Sequence, residues 1–473
     1  MLINPVRTRF APSPTGLIHI GNARTALFSA LFAKQAKGIF VLRIEDTDLT
    51  RSTVQFVEQL QDDLHWLEIF WQEGPGQDGN NGPYWQSQRQ SIYKHYYEEL
   101  VYRDLTYPCF CTEEDLALER KLLLSRGLAP RYRGNCRKLT ADEIAKKLAE
   151  GLKPTLRFKV PENQRVDFED LIKGPQSFNT DDIGDFIIRR ADGTSPFLFC
   201  SVIDDCLMQI THVLRGEDHV SNTPRQLLIA RTLGLTPPHY GHTPMIVGED
   251  GTPLSKRHGS FSVTDLRLQG YLPLAIMNYL ARLGHIVEQS ELCHFDDLAK
   301  TFHLKKISRS PARFDLNQLL YWQKLAVANL DTVSFWTWIS PSGVEIPEDQ
   351  RIRFIETLRP NICFPEDAVQ WVDILFGGEL EFTPEAKQVL IEAGEQFFVE
   401  AEQAVDSHGT DFKQIVQEVK QALNVSGKQL YHPLRVALTG REDGPELAQV
   451  AEILGQDRMR QRFSHAFRVT SGN

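Results

Sequence analysis

The stretch VRTRFAPSPTGLIHIGNARTALFSALFAKQAKGIFVLRIE, Val6 to Glu45, decides the fold class. It opens on a short β candidate, Val6 to Ala11, which the prolines of PSPTG break because they donate no backbone hydrogen bond. From Ile20 to Lys37 the residues Ala23, Ala26, Leu27, Ala30, Leu31 and Ala33 recur near the spacing of one helical face. Gly38 ends that helix. Ile39 to Glu45 is then rich in β-branched and aromatic residues, as a strand requires. Strand, helix and parallel strand open a doubly wound α/β sheet of Rossmann type. Ligands of such sheets bind beyond the carboxyl ends of the strands, where the PSPTG loop and Glu45 both fall.

A helix N-terminus presents free backbone N–H groups and a positive dipole end, which suit phosphate. His19 to Asn22, HIGN, opens the helix. Gly21 lets a ligand approach the backbone, and the His19 ring can donate to a phosphoryl oxygen. Alone, this motif reads more readily as a polar helix start beside a tight turn. A second stretch, DGTPLSKRHGS from Asp250 to Ser260, is a glycine-containing basic loop after the apolar TPMIVG. Lys256 on such a loop can swing onto a phosphate as charge develops, with Ser255 and Arg257 holding the loop or adding donors. Alone, LSKR reads as a solvated turn. Together the two stretches imply an ATP-using α/β enzyme.

The rest of the chain sets bounds. Its 473 residues exceed what one core supports, so two to four domains are expected. No apolar run approaches the ~18 residues of a membrane helix. The start, MLINPVRTRF, has no secretory pattern, and seven cysteines are an odd count without a dense framework. A cytoplasmic location without membrane contact follows as the expectation. A net charge of -10 argues against a wholesale polyanion coat but leaves room for a local basic stripe. Cys109 to Phe197 mixes charged helices with TLRFKV and reads as an α+β insertion. THVLRGEDH then returns as a strand, with Asn222 as cap and Pro224 at the first position of the next helix. From about Ser262 the pattern is helical to the end.

RFAPSPTGLIHIGNARTALF, LRIEDTD, VLRGEDHVSNTPRQ, LSKRHG and YLPLAIMNYLARLG follow one another in this order, with HPLRVALTGREDGPELAQVAEILG near the C-terminus. Over nearly its whole length the chain resembles the bacterial glutamyl-tRNA synthetases, a family of class I aminoacyl-tRNA synthetases. The resemblance implies a Rossmann-type catalytic domain at 1–108 and 198–260 and an acceptor-end-binding insertion at 109–197. It further implies a helical stem-contact region at 261–325 and an all-α anticodon-binding domain at 326–473. It implies ATP with Mg2+, L-glutamate and tRNA(Glu) as partners of a monomer. Glutamate is first joined to AMP and then passed to the 3′ end of tRNA.

Site residues carry over by motif. Arg9, Ala11, Ser13, Glu45, Phe197 and Arg215 are expected at glutamate; His19, Gly21, Asp218, Leu254 and Lys256 at ATP. His19 and Lys256 take the catalytic phosphate work. Arginine suits this substrate because its fork meets a carboxylate with two bonds. Arg215 and Asp218 have a second reading, as an ion pair with each other. The chain departs from the family pattern at Asn22, where histidine is usual, and at Pro253, where the loop's first lysine is missing. Phe197 stands for a glutamate-contacting tyrosine, and Ser201 for a nearby asparagine. Cys109, Cys111, Tyr132 and Cys136 match a zinc site of part of the family, with Lys138 where others carry histidine. Three reduced cysteines in a metal-free loop are the alternative reading. Lys305, Lys306, Arg309 and Arg313 form a basic stripe for tRNA phosphates, or else a solvated helix face. Asn361, after LRP, stands where discriminating members carry arginine, which leaves charging of tRNA(Gln) open. The competing functions are a glutamyl-Q tRNA(Asp) synthetase-like enzyme, which lacks the helical half, a small-molecule nucleotidyltransferase and an inactive tRNA-binding paralogue.

Overall fold

The computed structural model describes residues 5–47, 52–128, 130–254 and 261–471. These fall into two compact units, Met1–Arg267 with Ile276–Leu316, and Leu268–Ala275 with Asn317–Asn473. The first unit opens with β1 (Arg7–Phe10), α1 (Ile20–Gln35) and β2 (Ile39–Leu42). The strands pair in parallel, from Arg7 opposite Ile39 to Phe10 opposite Leu42. Ala23, Ala26, Ala30 and Ala33 of α1 are buried, and their short side chains let the helix lie close on the sheet. α1 ends at Gln35 rather than Lys37, because Lys37 adopts φ 52. A Cβ on Gly38 would stand 2.1 Å from the Val6 carbonyl oxygen, so only glycine lets the chain pass beside β1 here.

The insertion supplies β3 (Thr106–Cys109), β4 (Thr155–Phe158), β5 (Arg165–Asp170), β6 (Gly174–Asn179) and β7 (Phe186–Arg189). β3, β4 and β7 form one antiparallel sheet in that order, and β5 and β6 a hairpin. The chain then re-enters the parallel layer as β8 (His212–Gly216) and β9 (His239–Thr243). The Thr211 N–H donates to the Arg7 carbonyl at 2.9 Å, which sets β8 beside β1. Strand order therefore runs β2, β1, β8, β9, and the winding reverses between β1 and β8. That switch point opens a crevice at the strands' carboxyl ends.

Two local expectations change. Asn222 does not cap the helix Thr223–Thr232; its amide bonds the His219 ring instead. The stretch after Ser262 is not wholly helical either. Beyond β10 (Ile246–Val247), β11 (Ala312–Arg313) pairs with it in parallel, because Ala312 and Phe314 donate to Met245 and Val247.

The second unit is built of helices around Phe354, Phe398, Leu434 and Phe463, all buried. Helix Glu395–His408 packs along the last helix, Leu447–Thr470. Gly455, at φ 70 and ψ 169, kinks that helix where no other residue would sit without strain. No described helix is long and apolar enough to cross a membrane.

Candidate active site

A cavity of about 820 Å³ lies beyond the carboxyl ends of β1 and β8. Arg9, Ala11, Ser13, His19, Gly21, Glu45, Phe197, Arg215, Asp218 and Leu254 all line it. Every described residue expected at glutamate or ATP is thus gathered into one space. Lys256, with Ser255 and Arg257, lies outside the described residues; their neighbours Leu254 and Phe261 both line the cavity.

Backbone stitching brings the first wall together. Arg43 N–H donates to the Phe10 carbonyl and Glu45 N–H to the Pro12 carbonyl, both at 3.0 Å, so Glu45 lies beside the loop carrying Ala11 and Ser13. Arg9 Nε donates to Asp205 Oδ1 at 3.1 Å, and Arg43 Nη1 reaches the same oxygen at 2.7 Å. Arg43 Nη2 also holds Glu45 Oε1 at 2.9 Å. Behind them Arg89 Nε meets Asp204 Oδ1 at 2.6 Å, and Tyr93 and Gln86 donate to Asp204 Oδ2. Burial pushes the Asp205 carboxyl up, but Arg43 and Arg9 more than reverse this and keep it ionised. Glu45 is different: burial outweighs Arg43 and raises it to about 7. Its Oε2 is buried with no partner among the described residues, an acceptor suited to an ammonium group.

The second wall centres on Arg215. Its Nε donates to His242 Nε2 at 3.1 Å, and its Nη2 to Thr223 Oγ1 and Gln226 Oε1, each at 2.8 Å. Nη1 is buried and has no partner among the described residues. None of these contacts is ionic, and burial lowers the guanidinium to about 10. The Arg215–Asp218 ion pair is therefore ruled out: Asp218 turns away and stands 3.6 Å from His219 Nε2. Phe197 packs its ring 5.2 Å from that of His219. Burial, then Arg215, lower His219 to about 4.

At the other end, His19 precedes α1 as its N-cap, exposed and with no side-chain cap bond. A Cβ on Gly21 would meet nothing within 4 Å, so the first turn faces open cavity. Arg24, one turn on, is held by the Leu283 and Pro244 carbonyls, and among the described residues no carboxylate pairs with it. Burial lowers it to about 10. The sequence reading missed Arg24, Arg43, Arg89, Asp204, Asp205 and His242. Arg43, Asp204 and Asp205 carry a signal, a charge inside an apolar run, as in IFVLRIE and FLFCSVIDDCLM, while Arg24, Arg89 and His242 sit in mixed stretches that offer none.

The cysteine cluster is preformed. Cys109, Cys111 and Cys136 place their sulfurs within 4.8 Å of one another. Tyr132 Oη is 3.4 Å from Cys109 Sγ and 3.5 Å from Cys111 Sγ, and Cys111 Sγ is 3.7 Å from Cys136 Sγ. Tetrahedral zinc with arms of about 2.3 Å to sulfur and about 2.0 Å to oxygen has edges of about 3.5 to 3.8 Å. The donor set fits the ion. Arg157 lies 3.8 Å over the Tyr132 ring and fixes it. Burial pushes the Cys111 thiol up to about 12 with Cys109 and Cys136 beside it, so a cation there would favour its thiolate.

The basic stripe is no helix face. Lys305 and Lys306 lie in a 3-10 turn, Leu304–Lys306, and Arg313 in β11. Lys306 pairs with Glu288 at 2.7 Å, and Arg309 Nε donates to the Ile172 carbonyl at 3.0 Å. Lys305, Arg309 and Arg313 are exposed.

The description "tRNA synthetases class I (E and Q), catalytic domain" matches residues 5–321, and "Anticodon binding domain" matches residues 323–467. A Coxiella burnetii protein named glutamate–tRNA ligase 2 is 53% identical over 98% of this chain and 99% of its own length. A Nitrosococcus oceani protein of the same name is 52% identical over 97% and 98%. A crystal structure of a glutamate tRNA ligase from Elizabethkingia meningosepticum, in complex with its amino acid, superposes with TM-score 0.86 at 28% identity, over 98% of this chain and 99% of that one. The chain belongs to the class I tRNA synthetases and, within them, to the glutamate–tRNA ligase family.

Proposed function

We propose that this chain joins L-glutamate to the 3′ end of tRNA(Glu) at the expense of ATP. The charge count at the amino-acid end of the cavity carries the reading. Of the buried guanidiniums on Arg9, Arg43, Arg89 and Arg215, the first three are in direct contact with the buried carboxylates of Glu45, Asp204 and Asp205. Arg215 is left with only neutral groups in contact, with Asp170 held behind the His242 ring, so one guanidinium charge still lacks a direct counter-ion. Glutamate, with two carboxylates and one ammonium, cancels it. Glutamine is neutral and would leave a buried cation uncompensated, at a cost of several kcal/mol.

Arg215 and Arg9 then hold the carboxylates and Glu45 Oε2 the ammonium, with Ala11, Ser13 and Phe197 closing the walls. ATP, with its Mg2+, lies along Gly21, Asp218 and Leu254, and His19 meets its phosphates at the open start of α1. The glutamate α-carboxylate attacks the α-phosphorus and pyrophosphate leaves. Lys256 is the mobile charge on the transferring phosphate. The terminal ribose hydroxyl of tRNA next attacks the adenylate carbonyl, and AMP leaves. Positioning and charge supply the catalysis, so no protein nucleophile is required. Residues 109–197 receive the acceptor end and residues 326–473 the anticodon, with Lys305, Lys306, Arg309 and Arg313 on phosphates between. Cys109, Cys111, Tyr132 and Cys136 hold a structural zinc that braces the insertion and takes no part in either step.

Asn361 is exposed, and its side chain turns back onto the Thr357 carbonyl at 3.1 Å. Lacking an arginine's reach at this place, the chain is read as accepting tRNA(Gln) as well. Charging of labelled glutamate onto purified tRNA(Glu), tRNA(Gln) and tRNA(Asp) tests both statements. Charging of the first two supports them, and charging of tRNA(Glu) alone removes the wider tRNA range. No charging of any overturns the function.

A further inference from the structure

Arg215 does not hold its position alone. It is a side chain with five N–H donors and no acceptor, so whatever faces its Nε must accept. His242 Nε2 faces it at 3.1 Å. That nitrogen must be bare, and the ring proton of neutral His242 is forced onto Nδ1. There it meets Asp170 Oδ2, in a contact whose two side chains are wholly buried. The other carboxylate oxygen, Oδ1, accepts three backbone N–H groups, from Ile172 at 2.9 Å, Lys173 at 2.8 Å and His242 itself at 3.2 Å. Three segments contribute: Asp170 ends β5 of the insertion, His242 lies on β9, and Arg215 stands opposite His242 on β8.

We propose that Asp170 and His242 are positioning residues for glutamate. Asp170 fixes the His242 tautomer, and His242 in turn aims the Arg215 fork so that Nη1 points its free donors at a substrate carboxylate. The wiring uses neutral acceptors next to Arg215, which steer it without cancelling its charge. A carboxylate in direct contact would aim the fork equally well and compete with the substrate. Placing the carboxylate one imidazole away separates orientation from neutralisation. This inference rests on the assignment of Arg215 to a glutamate carboxylate.

Asp170→Asn tests it cleanly, because the amide oxygen keeps the three backbone bonds of Oδ1 and only the atom facing Nδ1 becomes a donor. His242 then takes its proton on Nε2 and sets N–H against N–H at Arg215. Glutamate-dependent pyrophosphate exchange with saturating tRNA should show KM for glutamate rising roughly ten- to hundredfold, with KM for ATP within about twofold of the unsubstituted enzyme. His242→Gln presents a carbonyl oxygen to Arg215 whatever stands at 170. In that background, adding Asp170→Asn should change KM for glutamate by less than about threefold. An equal cost in both backgrounds means that Asp170 acts through the backbone turn alone and overturns the relay. So does an unchanged KM in Asp170→Asn while Arg215→Ala raises it. An unchanged KM in Arg215→Ala removes the carboxylate assignment itself. Should the variants not fold, ring nitrogen NMR of the unsubstituted protein decides: the relay requires His242 protonated on Nδ1, and a proton on Nε2 excludes it.

Discussion

Arg9 and Arg215 stand on adjacent parallel strands of one cavity, at 4% and 5% exposure, and differ in what answers their charge. Arg9 shares Asp205 with Arg43, at 3.1 and 2.7 Å, inside a net that runs on to Glu45. Arg215 meets an imidazole, a hydroxyl and an amide oxygen. Burial is the same for both, so burial does not tell the two apart. The difference lies in compensation. A matched buried ion pair costs nearly as much to desolvate as it returns and mainly fixes geometry. A buried cation matched only by dipoles is stable enough to fold around, and gains most when an anion arrives.

Removing the matching charge should break the contrast most severely. Asp205→Ala leaves two buried guanidiniums facing each other, and the loss in unfolding free energy should be about 3 to 5 kcal/mol by urea or thermal melting. A loss below about 1 kcal/mol would mean that water enters the net and that the two walls are alike. Arg215→Ala should behave in the opposite sense. It removes an unmatched charge, so stability should fall by less than about 2 kcal/mol while KM for glutamate rises roughly a hundredfold. A melt as poor as that of Asp205→Ala would make Arg215 a structural residue.

Which of these features a sequence discloses depends on how many segments must meet. α1 was legible because its alanines repeat within one stretch, and the crevice because strand, loop and helix are contiguous. His19, Gly21 and Leu254 needed only their own motifs. The carboxylates Asp204 and Asp205 are charges in an apolar run, yet they were missed, because their partner Arg43 is some 160 residues away in sequence. Pairing them required the sheet. Arg215 and Asp218 suggested an ion pair by proximity in sequence, yet the turn after β8 sends Asp218 to His219 while β9 brings His242 to Arg215. Asn222 failed as a cap for a similar reason, since the His219 ring claims its amide. Local chemistry is visible in a string; competition between partners is decided only by the fold.

Glu45 sharpens the comparison by a smaller effect, because it belongs to the matched wall and still keeps one oxygen unpaired. Burial raises its carboxyl to about 7, with Arg43 pulling the other way. Below that pH the free enzyme carries the neutral acid, which cannot pair with the substrate ammonium; above it the carboxylate is ready. The sign follows: kcat/KM for glutamate, which reports the free enzyme, falls as pH drops through about 7. One such group gives roughly an eightfold fall between about pH 7.5 and about pH 6. Arg215 stays charged throughout this window, since its lowered value of about 10 is still well above it. The matched wall would thus set the pH response, and the unmatched wall the depth of binding. Glu45→Gln should lower kcat/KM at high pH and flatten the profile between about pH 6 and about pH 7.5. A profile that keeps its slope in Glu45→Gln would place the titrating group elsewhere, and the ammonium with it.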